Sequence, residues 1–141
     1  MQTRIEATRL VPGRGAPVPG GVVVLDGPTI AYAGPSDHAP DTPDASLVRV
    51  DTVMPGMWDC HTHLFGTRTV DLSFLYGQPI ALRAARATAD LAIALRAGFT
   101  SVREAGGLGV HLAGAVAEGT IPGPRIYAAG AALSITGGHT D

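Results

Sequence analysis

The chain has 141 residues, 45% of them apolar and 16% charged, which suits one ordinary globular domain and excludes a disordered chain. Net charge is −2, and its ten basic residues are all arginines, scattered without a run, so no nucleic-acid footprint is expected. No apolar run approaches the ~20 residues of a membrane span, and Met1 to Leu10 alternates polar and apolar without the apolar core of a secretory signal.

Residues 1–52 read as short strands: Thr3 to Val11, Gly21 to Leu25, Thr29 to Ala33 and Leu47 to Asp51. Asp26-Gly27 between the second and third is a hairpin signal. Four such strands bury little by themselves, so this β-rich lobe needs something to pack on.

From Val53 the grammar becomes strand, helix, strand. Pro55-Gly56 marks a turn before a short strand carrying Asp59, Cys60, His61, Thr62 and His63, and Gly66 marks a break after it. An irregular stretch runs from Phe65 to Gly77. Pro79 then opens a helix to about Ala97, with Ile80, Ala84, Ala87, Leu91, Ile93 and Leu95 supplying a broad apolar face and Gly98 the stop. Phe99 to Arg103 is the next strand, Leu108 to Glu118 a shorter helix, and Pro124 to Ala129 a third strand. This alternation implies βαβ units and a parallel sheet. Three strands and two helices are only the opening of a (β/α)₈ barrel, which takes ~250 residues. The competing reading, a small open sheet closing within the chain, lacks a last helix to cover it. Residues 53–141 are therefore expected to be part of a larger fold.

The chemistry concentrates at His61 and His63. On a strand, residues two apart share a face and lie ~6.5–7 Å apart along the backbone. Their ring nitrogens can then converge on one ion at ~2.0–2.1 Å, whereas a helix would turn them apart. In a barrel the odd positions Met57, Asp59, His61 and His63 face the interior, and Trp58, Cys60, Thr62 and Leu64 face the helices. Asp59 either orients a ligand imidazole or pairs with an arginine. Arg103-Glu104 reads as a salt bridge or loop anchor, and Gly106-Gly107 fits no dinucleotide or P-loop spacing. His38 and His111 read as exposed or packing residues. Cys60 points outward with no base beside it, so it is no nucleophile; as the lone cysteine it excludes an internal disulfide and fits a reducing, cytoplasmic setting.

Pro55-Gly56, two residues, Asp59, one residue, His61, one residue, His63: this resembles the first-strand signature of the metal-dependent amidohydrolase superfamily. From about Pro19 to Asp141 the chain is similar to the N-terminal portion of its imidazolonepropionase-like and Xaa-Pro dipeptidase-like members. The likeness is specific at Pro55 to Leu64 and Thr100 to Gly107, and looser at Gly137 to His139. It implies an α/β fold: the N-terminal part of a TIM-type barrel over 53–141, incomplete in this chain, preceded over 1–52 by part of a small β-sandwich whose other strands return after the barrel.

The resemblance also implies one or two divalent metal ions, zinc foremost, with His61 and His63 as ligands. A carboxylated bridging lysine, two more histidines and a catalytic aspartate come from later barrel strands. The chain contains no lysine, so that ligand and the catalytic aspartate are expected beyond residue 141. Gly137-Gly138-His139 resembles the family's Gly-Gly-His-Gly-Asp segment, with Thr140 replacing a glycine. His139 is then a substrate-binding residue for a carboxylate or polarised carbonyl, or a loop histidine tethering the strand end; the two readings stand level.

The activity implied is hydrolysis of an amide C–N bond in a small molecule, of dipeptide or N-acyl amino acid type. A cyclic-amide hydrolase of the imidazolonepropionase type is the alternative within that class. Outside it stands a non-catalytic fragment or split subunit that works by associating with a C-terminal partner. No nucleic-acid or membrane partner is expected, and self-association into a homo-oligomer is compatible with the sequence.

Overall fold

The computed structural model describes residues 1–75 and 77–138. They form two compact units, Met1–Pro55 and Gly56–Asp141.

The first unit is a four-stranded mixed sheet of β1 (Gln2–Leu10), β2 (Val18–Asp26), β3 (Thr29–Pro35) and β4 (Ser46–Val53), in the order β3-β2-β1-β4. β1 and β2 pair antiparallel, β2 and β3 form the hairpin with Asp26 opposite Thr29, and β4 runs parallel to β1. Ala7, Leu10 and the run Val22 to Val24 are buried, while Leu47, Val48 and Val50 of β4 stay exposed. A short 3-10 turn at Ser36–His38 sits in the stretch read as loop, and His38 is exposed there, as expected.

The second unit begins with β5 (Met57–Thr62), followed by α1 (Ile80–Arg96), β6 (Phe99–Glu104), α2 (Gly109–Ala117) and β7 (Arg125–Ala128). The three strands make a parallel sheet in the order β5-β6-β7. Both helices lie on one face of it, where Leu64, Ala87, Leu91, Val102, Leu108, Leu112 and Ile126 form one core. Among the described residues this sheet is open, and no barrel is closed.

α1 starts directly after Pro79, whose carbonyl accepts from the Leu82 (3.0 Å) and Arg83 (3.2 Å) amides. Its apolar face is narrower than the sequence suggests. Ala87 and Leu91 are buried with Ala84 beside them, but Ile80, Ile93 and Leu95 are exposed. Ile93 follows Leu91 by two residues, about 200° around the helix, so it faces away from the core. Leu91, 1% exposed, is the side chain on which the helix seats. Leu91→Ala is expected to cost 2–5 kcal/mol (~) in stability through lost burial and an unfilled cavity, read as a lowered denaturant midpoint of the complete protein.

Candidate metal centre

β5 carries an extra residue relative to β6. Asp59 pairs with Val102 and Thr62 with Glu104, so three steps on β5 match two on β6. Two consequences follow from this bulge. Below it, Asp59 shares the helix-side face of Val102, while Trp58 lies on the open face, stacked on Tyr127 with centroids 4.9 Å apart. Above it, Thr62 and Leu64 face the core, and His61 and His63 project from the open face. The alternation expected from sequence therefore holds for the histidines and Leu64 and fails for Trp58 and Asp59.

Among the described residues Asp59 bonds to no imidazole. Its Oδ1 accepts from the His61 backbone N–H at 3.0 Å, satisfying an amide in the stretch where the bulge interrupts the ladder. It also makes no ion pair among the described residues.

The two rings converge. His61 Nε2 and His63 Nε2 are 3.2 Å apart, with the ring planes at 79°. Two nitrogens bound at ~2.05 Å to one tetrahedral ion would be ~3.3 Å apart. His63 Nδ1 lies 3.0 Å from the carbonyl oxygen of Gly106. A carbonyl only accepts, so Nδ1 carries the proton in that bond and the Nε2 lone pair of neutral His63 is left for a cation. Phe65 stacks on the other side of the same ring, centroids 5.0 Å apart and planes 5° from parallel. His63 is thus fixed in plane and tautomer before any ligand arrives. The pair fits a divalent metal, and soft or borderline ions best suit its nitrogen donors. Among the described residues no third His, Cys, Asp or Glu joins it, so the pair is a partial ligand set.

The end of β5 is stitched to the loop after β6. The Ala105 amide donates to Thr62 (2.9 Å) and the Leu108 amide to Leu64 (2.9 Å), while the Leu64 amide donates to Glu104 Oε1 over a longer 3.4 Å. Glu104 is fully buried, and its Oε2 has no hydrogen-bond partner among the described residues. This loop-anchor role matches one of the two sequence readings; a salt bridge is not formed among those residues. Phe65 and the Gly106 carbonyl were not singled out from sequence. The signal for Glu104 was its two-residue step from Val102, which puts both side chains on one face of the strand.

His111 is exposed on α2, and Cys60 is exposed without a disulfide partner. His139 and Thr140 lie outside the described residues, so the substrate-binding expectation for His139 stays a proposal. Among the described residues no helix is long and apolar enough to cross a membrane.

Residues 52–141 match the sequence model described as Amidohydrolase family. Ochratoxinase of Aspergillus niger is 39% identical over 146 residues, a match covering 99% of this chain and 30% of the relative. The crystal structure of A. niger ochratoxinase superposes with a TM-score of 0.90 at 37% identity, covering 99% of this chain and 34% of that one. A prolidase solved with N-methylphosphonate-L-proline gives 0.84 at 39% identity, covering 99% and 34%. A Xaa-Pro dipeptidase with methionine bound in its active site gives 0.82 at 28%, covering 100% and 36%. The chain thus spans about 30% of the length of the curated relatives it matches.

Proposed function

The chain belongs to the amidohydrolase family, and from that premise we propose that the complete protein is a metal-dependent hydrolase of small-molecule amide C–N bonds. The observation that carries this reading is the 3.2 Å convergence of His61 Nε2 and His63 Nε2, with the second ring locked by Gly106. His61 and His63 hold one of one or two divalent ions, zinc foremost. The remaining ligands, a bridging lysine and a proton-shuttling aspartate among them, come from later strands. When bound, the metal polarises the scissile carbonyl and makes water acidic enough to attack near neutral pH. The chain's own contribution is to hold two imidazoles with their lone pairs gathered at one point, at the C-terminal end of a barrel strand.

Two surfaces support the placement in a larger barrel. Among the described residues β5 and β7 are each paired on one side only, and Ile80, Leu82, Ile93 and Leu95 of α1 are exposed. Further strands and helices of a closed barrel would cover both. Residues 1–52 then form part of a β-sandwich, which suits the exposed apolar side chains of β4. His139, if it reaches the same mouth, binds the substrate carboxylate or carbonyl.

Dipeptides ending in proline and N-acyl amino acids are the favoured substrates, because similar structures include a prolidase and a Xaa-Pro dipeptidase. The test is a panel of Xaa-Pro dipeptides, N-acyl amino acids and a cyclic amide, assayed on the complete protein before chelation, after it, and after zinc is restored. Chelator-sensitive, zinc-restored cleavage of the first two classes is the expected result. Turnover of the cyclic amide alone would overturn the substrate class. No turnover by metal-loaded protein would favour a non-catalytic piece acting by association.

A further inference from the structure

Glu104 is the least comfortable side chain in the second unit. It is 0% exposed, forms no ion pair among the described residues, and leaves Oε2 unpartnered. Burying such a group costs several kcal/mol unless it is well paired, and core positions of this kind are usually apolar. The space for it is built in. A Cβ on Gly107, where φ is +143°, would come within 2.6 Å of Oε1 and 2.9 Å of the Leu64 carbonyl group. A Cβ on Gly109 would come within 2.5 Å of Oε2. Two positions thus carry no side chain where the carboxylate needs room.

Among the described residues its hydrogen-bond partner is the amide of Leu64, the residue after His63, which donates to Oε1. The loop that Glu104 begins returns the Gly106 carbonyl to His63 Nδ1 at 3.0 Å and the Leu108 amide to Leu64 at 2.9 Å. Carboxylate, loop and imidazole therefore form one connected unit. We infer that Glu104 is a positioning residue for the metal centre: by holding the Leu64 amide it seats the tip of β5 against the Ala105–Leu108 loop, which keeps the Gly106 carbonyl on His63 and His63 Nε2 aimed at the ion. This rests on the reading of His61 and His63 as ligands.

The experiment measures zinc affinity of the complete, folded protein by chelator competition, together with the ¹⁵N signature of the His63 ring in the metal-free form. Glu104→Leu keeps the volume and deletes the acceptor. It is expected to weaken zinc binding tenfold or more (~) and to replace the Nδ1–H pattern of His63 by a mixture of tautomers. Glu104→Gln retains an oxygen for the Leu64 amide and is expected to stay within about threefold of wild type, though its amide group lowers stability. Should Glu104→Leu fail to fold, Gly109→Ala crowds the carboxylate from its other side and should weaken zinc binding in the same sense. Unchanged zinc affinity in a folded Glu104→Leu or Gly109→Ala protein overturns the inference, as does an equal loss in Leu and Gln variants. Zinc retained by His63→Ala would instead overturn the ligand assignment beneath it, so the two failures are distinguishable.

Discussion

If the proposed function holds, His63→Ala is expected to leave the complete protein folded and to strip it of zinc and of about 10³-fold or more of its amide-hydrolase rate. Both imidazoles project from the open face and are exposed, so removing one ring takes little from the core. What is lost is one of two nitrogens held 3.2 Å apart, and with it the chelate. A metal acting as Lewis acid is worth several kcal/mol of barrier, and each 1.36 kcal/mol is tenfold in rate. His61→Ala is expected to behave alike. Phe65→Leu, which keeps an apolar side chain but not the ring stacked on His63, should give a milder loss, about tenfold in zinc affinity. Metal analysis and turnover on matched samples decide the matter: normal values of both in either histidine variant refute the ligand assignment.

A large loss of stability is expected from Gly66→Ala. Gly66 is buried just past the tip of β5 with φ +66°, and a Cβ there would overlap the backbone carbonyl oxygen of Arg83 on α1. The same junction is tied by the Arg83 side chain, whose Nε donates to the Phe65 carbonyl at 3.0 Å. An alanine in the left-handed region costs ~1–2 kcal/mol, and a clash with backbone cannot be relieved by turning a side chain. The sum is at least about 3 kcal/mol, with α1 displaced from the strand tip. Gly114→Ala is the contrast. Gly114 is exposed inside α2 with open space around its Cβ position, so alanine there should be neutral or stabilise by ~0.5–1 kcal/mol. Thermal melts of the two variants against wild type test both statements. Equal midpoints would refute the account of the Gly66 junction.

Much of the second unit was legible because its punctuation is local. Pro79 and Gly98 bracket α1, and Gly119 follows α2. β2 is less legible. The sequence reading starts this strand at Gly21, yet it begins at Val18, since Val18 pairs with Leu10 and Pro19 with Arg9 on β1. Partner strands overrode local preference there. Asp59 was misjudged for a related reason: alternation assumes an unbroken ladder, and nothing in Asp59-Cys60-His61 announces an added residue. The reach from His63 to Gly106, 43 positions on, is tertiary and has no local signal. The two histidines themselves were readable because their spacing states a chemical requirement directly.

The bulge in β5 has a practical corollary for anyone wishing to transplant this two-nitrogen grip. Residues 59–62 act as a phase shifter, separating the side-chain parity of the strand's root from that of its tip. Moving His-Thr-His alone onto a regular host strand would inherit the host's alternation, and could turn both rings toward the packed side. A graft should carry the aspartate and the inserted step as one cassette, and the host strand below it can then be redesigned without re-aiming the imidazoles.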